Sequence, residues 1–399
     1  MKILFIHDHE VNPFKGGIQR VSYLLAEEFT RRGHSTLFLS FEHDSQEFSG
    51  KGKIPQDIIS FQQTGEYDRK HAVEKYIREK GIDLIILQHP NPRYWNYLKE
   101  LTHIAKTVFV FHNQPYPLLG KERIIKRLTP SSHLKLKGKI LRLIGIGLPK
   151  IFRKIYLRQF GATYKSIAQN VDSFILLSER YRPRLIDNTP GIESNKVIAI
   201  NNPTTFSTEE TTVDFNGKEN IVLVVCRISN PQKNLTGFID VWKEFSKRER
   251  DWKAIIVGDG ENRNIIEAYA RKTGVERLQF EGNRENVEAY YRKSKIFCMT
   301  SSYEGLAMVL MESMAFGCVP VVYDTFEAVH DIITDSENGL IIPAFDKEAM
   351  VNSLVDLANN PEKLKKMAYS GPTKLKRFSC RKIADQWEDK VMGNTGMKK

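Results

Sequence analysis

The sequence predicts an α/β protein with two consecutive doubly wound domains, each a parallel sheet covered by helices on both faces. Three observations indicate this architecture. The chain has 399 residues, more than one hydrophobic core usually serves. Short apolar runs alternate with longer stretches of helical periodicity. This alternation stops at one polar stretch and then starts again.

The strands of the first domain are expected where apolar runs are short enough to be buried strands. A helix is predicted directly after Gly16 and Gly17, because apolar residues recur there at helical spacing. Gly33 supplies the residue that ends this helix. The predicted strands lie at residues 3–6, 36–40, 83–87, 107–111, 173–177 and 197–200.

A stretch at 203–220, rich in Thr, Glu, Asn and Asp, predicts a linker. It divides the chain into a first domain at 1–203 and a second at 204–375. The helical pattern near 380–392 is expected to dock on the first domain. The strands of the second domain are predicted at residues 221–225, 253–257, 278–280, 296–300, 319–322 and 340–342.

The cysteine content and hydropathy limit the classes of protein to consider. The four cysteines include no Cys-x-x-Cys pair, which speaks against a disulfide framework or a zinc ribbon and favours a reduced, cytoplasmic compartment. The N-terminus has too short an apolar run for a signal peptide. No window reaches about 18 uninterrupted apolar residues, so we expect no membrane-spanning helix.

The net charge of +12 is concentrated in one segment, residues 121–165, while basic and acidic residues balance over the rest of the chain. Apolar residues alternate with the cations, which is typical of a basic amphipathic surface. We expect it to bind an anionic membrane surface; a solvated basic helix and loop is the alternative. Nucleic acid is not expected, because aromatic residues are few and no nucleic-acid fold signature is present. The candidate membrane-binding residues are Lys150, Arg153, Lys154 and Arg158.

Several common catalytic signatures are absent, including the phosphate loop of nucleotide hydrolases, the complete dinucleotide fingerprint, the zinc-protease helix and the nucleophile elbow. Nucleotide hydrolysis and zinc proteolysis therefore lose support. The nearest approach to a dinucleotide loop is Gly258-Asp259-Gly260, which lacks the third glycine. A tight turn often explains such a pair of glycines.

The segment SSYEGLAMVLMESMAFG, residues 301–317, directly follows the predicted strand at 296–300 and predicts a loop and then a helix beginning near Leu306. The N-terminus of such a helix suits a phosphate. Glu304 and Glu312 would lie about 12 Å apart along a continuous helix, too far for a glycosidase-type acid/base pair. We expect Glu304 at the reacting end of an extended ligand and Glu312 on a ribose diol. Two solvated glutamates are the alternative.

Arg227 and Lys233 follow the first strand of the second domain in VVCRISNPQKNL. Two cations in one such loop suit a diphosphate and could stabilise it as a leaving group without a metal. In the first domain, Gly16 and Gly17 would let the backbone approach a phosphate or sugar closely. His112 follows a strand at a position that faces a crevice. Alternatively, the two cations lie on the surface without a ligand, the two glycines form a turn, and His112 has a structural role.

Taken together, KGGIQRV, FHNQPY, NNP, CRISNPQKN, IIVGDGEN, FEGN and SSYEGLAMVLMESMAFGCVPVV resemble the retaining glycosyltransferases of family 4, also called glycosyl transferases group 1. The resemblance runs from Lys15 to about Pro343. Its specific part is a Glu-x7-Glu motif with an upstream Arg-x5-Lys motif. It implies the GT-B fold, two Rossmann-like domains facing a central cleft that holds a nucleotide-diphosphate sugar. It also implies retention of anomeric configuration with no metal or cofactor.

The resemblance also implies residue roles. Arg227 and Lys233 would bind the diphosphate, and with Glu304 and His112 they form the catalytic set. Glu304 would contact the donor sugar, Glu312 the ribose, and His112 the sugar on the acceptor side. The further donor-binding residues are Gly16, Gly17, Asn283, Gly305 and Leu306.

Three positions depart from the family pattern. Cys226 and Asn234 stand where glycines usually flank the Arg-x5-Lys motif, and Ala307 replaces a frequent glycine. The segments GGIQRV and NPQKN are similar to the corresponding segments of enzymes of capsule, O-antigen and exopolysaccharide assembly in bacteria. This implies a UDP-hexose or UDP-N-acetylhexosamine donor and a polyprenyl-diphosphate-linked glycan acceptor.

The sequence therefore predicts a metal-independent, retaining hexosyltransferase at the cytoplasmic face of the cell membrane. An epimerase of nucleotide sugars on the same fold is the alternative enzyme. It would use the same diphosphate site but needs acid and base groups across the sugar ring. A basic membrane-binding or nucleic-acid-binding module without catalysis is the alternative from another class. The presence of all four charged motif residues argues against it.

Overall fold

A computed structural model describes residues 1–14, 16–42, 54–60, 66–88, 92–119, 149–206, 212–230 and 232–393. The chain divides into two compact units. The first comprises Met1–Tyr116, Ile155–Thr205 and Cys380–Lys399, and the second comprises Pro117–Lys154 and Phe206–Ser379.

The predicted domains at 1–203 and 204–375 stay a prediction. The range 117–154 of the second unit falls within the predicted first domain, and its residues 120–148 lie outside the described residues. Lys150, Arg153 and Lys154 are exposed.

The described helices agree with the predicted alternation of strands and helices. The helix predicted after Gly16 and Gly17 is present as α1 and starts at Gly17. The helices are α1 (Gly17–Arg31), α2 (Glu66–Lys80), α3 (Pro92–Leu98), α4 (Pro149–Gln169), α5 (Tyr181–Asn188), α6 (Leu235–Arg248), α7 (Arg263–Thr273), α8 (Glu288–Lys293), α9 (Met308–Ala315), α10 (Val329–Ile332), α11 (Lys347–Asn359), α12 (Pro361–Leu375) and α13 (Cys380–Trp387).

The sheet of the first unit contains every strand predicted for that domain and one more. Its described strand pairs are parallel, in the order β3-β2-β1-β4-β5-β6-β7. The additional strand is β3, whose three residues are all half-buried and carry no apolar run to reveal them. The strands are β1 (Lys2–His9), β2 (Ser35–Glu42), β3 (Gln56–Ile58), β4 (Leu84–Leu87), β5 (Lys106–Phe111), β6 (Ser173–Leu176) and β7 (Val197–Ala199).

The sheet of the second unit contains the predicted strands in the order β10-β9-β8-β11-β12-β13, again all parallel. The strand order reverses between β8 and β11, and ligands of such sheets bind at the carboxyl ends of the strands beside this reversal. The strands are β8 (Glu219–Val225), β9 (Lys253–Val257), β10 (Leu278–Gly282), β11 (Ser294–Met299), β12 (Val319–Tyr323) and β13 (Leu340–Ile342).

The C-terminal helix α13 packs on α1 within the first unit. Trp387 meets Phe29 edge to face with ring centroids 6.3 Å apart. Arg32 forms ion pairs with Asp385 at 2.8 Å and Glu388 at 2.7 Å. The aromatic contact and the two ion pairs of Arg32 together attach α13 to α1 of the first unit.

His7 on β1 is a buried titratable residue of the first unit, and its Nε2 atom has no hydrogen-bond partner among the described residues. Burial lowers the pKa of His7 to about 3, because the charged imidazolium loses its hydration. Between pH 6.5 and about 3 the unfolded chain therefore binds a proton that the folded chain does not. The free energy of unfolding is therefore expected to decrease by about 1.4 kcal/mol for each unit by which the pH is lowered across this window.

Replacing His7 with leucine is expected to remove this part of the acid sensitivity. Urea unfolding of wild type and of His7→Leu between pH 6.5 and 4.5 measures the difference in slope. Equal slopes for wild type and His7→Leu would contradict the assignment.

Candidate active site

The loops that follow β8 and β11 meet at the carboxyl edge of the second sheet. Lys233 lies in the first loop and Glu304 in the second. The Lys233 Nζ atom donates a hydrogen bond to Glu304 Oε1 at 2.6 Å. The two side chains are only 17% and 9% exposed. Residues that are 71 positions apart in sequence are thus joined by a part-buried ion pair.

The charge of Lys233 is maintained by its surroundings. Burial alone would lower its pKa, but the charge of Glu304 and its hydrogen bond outweigh burial and raise the pKa above the usual value. Arg227 opposes this effect through its own positive charge. Arg227 itself is exposed. The structure therefore brings Lys233 and Glu304 into contact, and Arg227 lies on the same loop as Lys233.

The Gly258-Asp259-Gly260 segment supports the loop that carries Arg227. A Cβ atom at Gly258 would lie 1.9 Å from the Cys226 carbonyl oxygen, and one at Gly260 would lie 2.5 Å from that of Ile228. The Ile228 N–H donates to the Asp259 carbonyl at 2.8 Å. Both glycines are thus required by close contact between two backbones. This favours the tight-turn reading of the motif.

The helix predicted to begin near Leu306 is present as α9, which starts at Met308 with Ala307 as its N-cap residue. Residues 304–307 are not helical, so the distance of about 12 Å estimated for a continuous helix does not apply. Gly305 and Leu306 are buried.

Ala307 occupies the left-handed region with φ of 50°, which costs an L-residue about 1–2 kcal/mol relative to glycine. Ala307→Gly relieves this strain, whereas Ala270→Gly places a glycine inside α7 and should destabilise by about 1 kcal/mol. Ala270 is likewise buried. We expect Ala307→Gly to be at least about 1 kcal/mol less destabilising than Ala270→Gly in urea unfolding. Equal losses would show that the backbone at 307 is unstrained.

Glu312 lies inside α9 and is buried. Its Oε2 atom accepts a hydrogen bond from the Tyr291 hydroxyl at 3.0 Å, and Tyr291 is itself buried at the end of α8. Sequence reasoning missed Tyr291. Its aromatic ring stacks on Phe316 with centroids 6.2 Å apart, so its position follows from tertiary packing and has no local motif.

Other predicted residues lie at strand ends or helix starts in their own units. Asn283 is exposed directly after β10. Gly16 has φ of 98°, and a Cβ atom there would meet nothing within 4 Å, so Gly16 leaves open space before α1, whose first residue is Gly17. His112 follows β5, and its Nε2 atom is hydrogen-bonded to Gln88 Oε1.

Gln88 is a second residue that sequence reasoning missed. It is a buried polar residue directly after the apolar strand β4. In parallel sheets a polar residue at the carboxyl end of a buried strand indicates a functional edge. This signal was present in the sequence LIILQH.

The four candidate membrane-binding cations lie on α4 and all are exposed. Two apolar side chains of the same helix are also exposed, Ile151 by 49% and Ile155 by 40%. They are four residues apart and therefore share one helix face. The described start of α4 thus presents cations and apolar side chains together to solvent.

Within the described ranges, no group of three or more His, Cys, Asp or Glu residues is placed to hold a metal ion. The helices in the same ranges are all too short or too polar to cross a lipid bilayer.

Two family models match adjacent parts of the chain. The model described as Glycosyltransferase Family 4 matches residues 15–205. The model described as Glycosyl transferases group 1 matches residues 206–374. Their junction coincides with the described border between Thr205 and Phe206.

Two curated bacterial relatives are each 30% identical over part of the chain. One, from Campylobacter jejuni, is a GalNAc-alpha-(1->4)-GalNAc-alpha-(1->3)-diNAcBac-PP-undecaprenol alpha-1,4-N-acetyl-D-galactosaminyltransferase, matched over 47% of this chain and 52% of that protein. The other is the amylovoran biosynthesis glycosyltransferase AmsD of Erwinia amylovora, matched over 44% and 49%. The chain spans about half the length of these relatives.

Solved structures show the same fold over nearly the whole chain. Alr3699/HepE of Anabaena in complex with UDP-glucose has a TM-score of 0.73 at 18% identity, covering 98% of this chain and 99% of that one. The pneumococcal O-GlcNAc transferase GtfA, in complex with UDP and GlcNAc, has a TM-score of 0.71 at 12% identity, covering 98% of each chain. With two parallel-sheet units and family matches that together extend over residues 15–374, the chain belongs to the GT-B glycosyltransferases.

Proposed function

We propose that the protein transfers a sugar from a nucleotide-diphosphate donor to a glycan acceptor, with retention of anomeric configuration and without a metal. The observation that carries this proposal is the part-buried Lys233–Glu304 ion pair at the β8/β11 reversal, with Arg227 on the same loop as Lys233. Cations at the carboxyl edge of such a sheet suit a diphosphate.

The contact between Lys233 and Glu304 brings both ends of the proposed donor to one site. In this proposal Lys233 binds the diphosphate, and the Glu304 carboxylate accepts hydrogen bonds from hydroxyls of the donor sugar.

The proposed chemistry is a front-face displacement. The bond between the anomeric carbon and the diphosphate oxygen breaks, and Arg227 and Lys233 stabilise the charge that develops on the diphosphate. The acceptor oxygen forms the new bond on the same face and gives its proton to the departing diphosphate oxygen. This step balances without a separate strong base.

The comparisons favour a uridine nucleotide and a bacterial polysaccharide acceptor. UDP or UDP-glucose is bound in structures of the same fold, and one relative is named for an undecaprenol-linked glycan. We therefore propose a UDP-hexose or UDP-N-acetylhexosamine as donor and a polyprenyl-diphosphate-linked glycan as acceptor. The proposed location is the cytoplasmic face of the cell membrane, with α4 as the peripheral contact.

A panel of nucleotide sugars, each incubated with and without lipid-linked acceptors, tests this function by mass spectrometry. We expect an acceptor mass increased by one hexose or N-acetylhexosamine only when both substrates are present. Conversion of the donor to an isomer without any acceptor would instead identify an epimerase. Absence of transfer across the panel, with nucleotide binding to the protein undetected, would favour a binding module.

Reversing the charge of Lys150, Arg153, Lys154 and Arg158 to Glu is expected to abolish sedimentation with anionic vesicles. Each cation near such a surface contributes about 1 kcal/mol, and this attraction decays within a Debye length. Transfer to a lipid-linked acceptor should slow, while transfer to a short soluble acceptor should hardly change.

A second fourfold variant controls for the change in net charge. Lys247, Arg250, Arg271 and Lys272 are exposed cations of the second unit, and their replacement by Glu should leave vesicle binding intact. High salt should release the wild-type protein from vesicles. If the α4 variant sedimented as wild type does, the cations of α4 would be a solvated surface only.

A further inference from the structure

Asn234 connects the two loops that carry Lys233 and Glu304. Its backbone adopts the left-handed conformation, with φ of 47° and ψ of 45°, at the turn from Lys233 into α6. An asparagine at the N-cap usually bonds to the first N–H groups of its helix. The Asn234 side chain makes no such bond.

The Asn234 amide instead binds the loop of Glu304. Its Nδ2 atom donates to the Thr300 carbonyl oxygen at 3.1 Å, and Thr300 is the first residue after β11. The Thr300 hydroxyl donates to the Asn234 carbonyl oxygen at 3.1 Å and to the Lys233 carbonyl oxygen at 3.3 Å. Both residues are buried, so water competes little for these bonds.

Gly237 in α6 provides the room for this amide. A Cβ atom at Gly237 would lie 2.6 Å from Asn234 Nδ2 and 2.8 Å from its Oδ1. Glycine inside a helix is destabilising relative to alanine, so its presence in α6 has a local reason. The space occupied by the Asn234 side chain supplies that reason.

We propose that Asn234 is a positioning residue whose side-chain amide, bound to Thr300, holds Lys233 where its ammonium group meets Glu304. This inference rests on the proposed function, in which Lys233 binds the donor diphosphate. The resembled family usually has glycine at this position. Asn234→Gly therefore keeps the left-handed turn and removes only the amide contact.

Acetylation of Lys233 by acetic anhydride tests the positioning without any assay of transfer. The reagent attacks the neutral amine, which the pairing with Glu304 suppresses. We expect Asn234→Gly to acetylate at Lys233 about five- to tenfold faster at fixed pH, as followed by peptide mass spectrometry. Unchanged acetylation of Lys233 in folded Asn234→Gly would overturn the proposal.

Gly237→Ala provides an independent variant, because its methyl group displaces the amide while Asn234 is retained. It should accelerate acetylation of Lys233 as well. The double variant should be no faster than Asn234→Gly alone, since the methyl group then has no amide to displace. Effects that multiply in the double variant would show that Gly237 acts by another route and would overturn the argument from packing.

Asn338→Ala controls for general loosening of the second unit. Asn338 is also buried, and its Oδ1 atom accepts from the Thr334 N–H at 2.9 Å. This variant should lower the melting temperature and leave the acetylation rate of Lys233 unchanged. If it accelerated acetylation as much as Asn234→Gly does, the amide of Asn234 would have no special role.

In transfer assays, Asn234→Gly should lower kcat about five- to tenfold with little change in donor KM, because Lys233 acts on charge that develops during transfer. Failure of the two proposals can be told apart. A wild-type protein that transfers no sugar refutes the proposed function, and the acetylation series still decides the positioning. A wild-type protein that transfers sugar but shows no acetylation difference refutes the positioning alone.

Discussion

Replacing Lys233 with methionine is expected to lower the turnover of sugar transfer about 10²–10³-fold, the loss typical of removing one group that stabilises developing charge. Methionine fills a similar volume without the ammonium group. It also leaves Glu304, which is only 9% exposed, without its 2.6 Å partner. Arg227→Ala is expected to have an effect of the same size, because its cation acts on the same diphosphate.

Initial rates at saturating donor and acceptor measure this effect. Lys247→Met is the matched control, because Lys247 is exposed and pairs with Glu244 on the surface of α6. It should retain wild-type turnover. Lys233→Met and Arg227→Ala proteins that are folded and as active as wild type would refute the diphosphate assignment.

Replacing Glu304 with glutamine is expected to lower kcat by a similar factor, because the amide neither neutralises Lys233 nor accepts sugar hydrogen bonds as strongly as a carboxylate. The pKa of Lys233 should also fall, since the charge of Glu304 raises it. Because Lys233 and Glu304 contact each other, the double variant with Lys233→Met should lose less than the product of the two single losses. Fully multiplicative losses would mean that the two residues act independently.

Glu312→Gln provides the contrast to Glu304→Gln. We expect it mainly to raise the donor KM, as for a group that contacts the ribose and not the reacting sugar. Tyr291→Phe removes only the hydroxyl that donates to Glu312. A predominant loss of kcat in Glu312→Gln, with a predominant rise of KM in Glu304→Gln, would exchange the two roles.

The sequence predicted the sheets well because buried parallel strands are apolar throughout and therefore visible in one dimension. Strand β3 was missed because its residues Gln56–Ile58 are half-buried at the edge of the sheet. The start of α9 was predicted near Leu306 and lies at Met308. Its N-cap residue Ala307 takes a left-handed conformation that could not be predicted, because nothing in the local sequence of an alanine signals a positive φ.

The charged site residues were predictable individually, but their contact was not. The spacing of Arg227 and Lys233 was visible in the sequence, whereas the ion pair of Lys233 with Glu304 joins loops 71 residues apart. It depends on the adjacency of β8 and β11, which the strand order determines. The support from Asn234, Gly237 and Tyr291 likewise arises from tertiary packing.

The anomeric configuration of the product, formed in excess chelator, tests the central claim most directly. An α-linked UDP-sugar and a soluble glycan acceptor are incubated with the wild-type protein and EDTA, and the new linkage is assigned by NMR. The account predicts undiminished transfer and an α-linked product, because Arg227 and Lys233 stabilise the leaving diphosphate on the face from which the acceptor attacks. A β-linked product, or activity lost in EDTA and restored by Mn²⁺ or Mg²⁺, would contradict it.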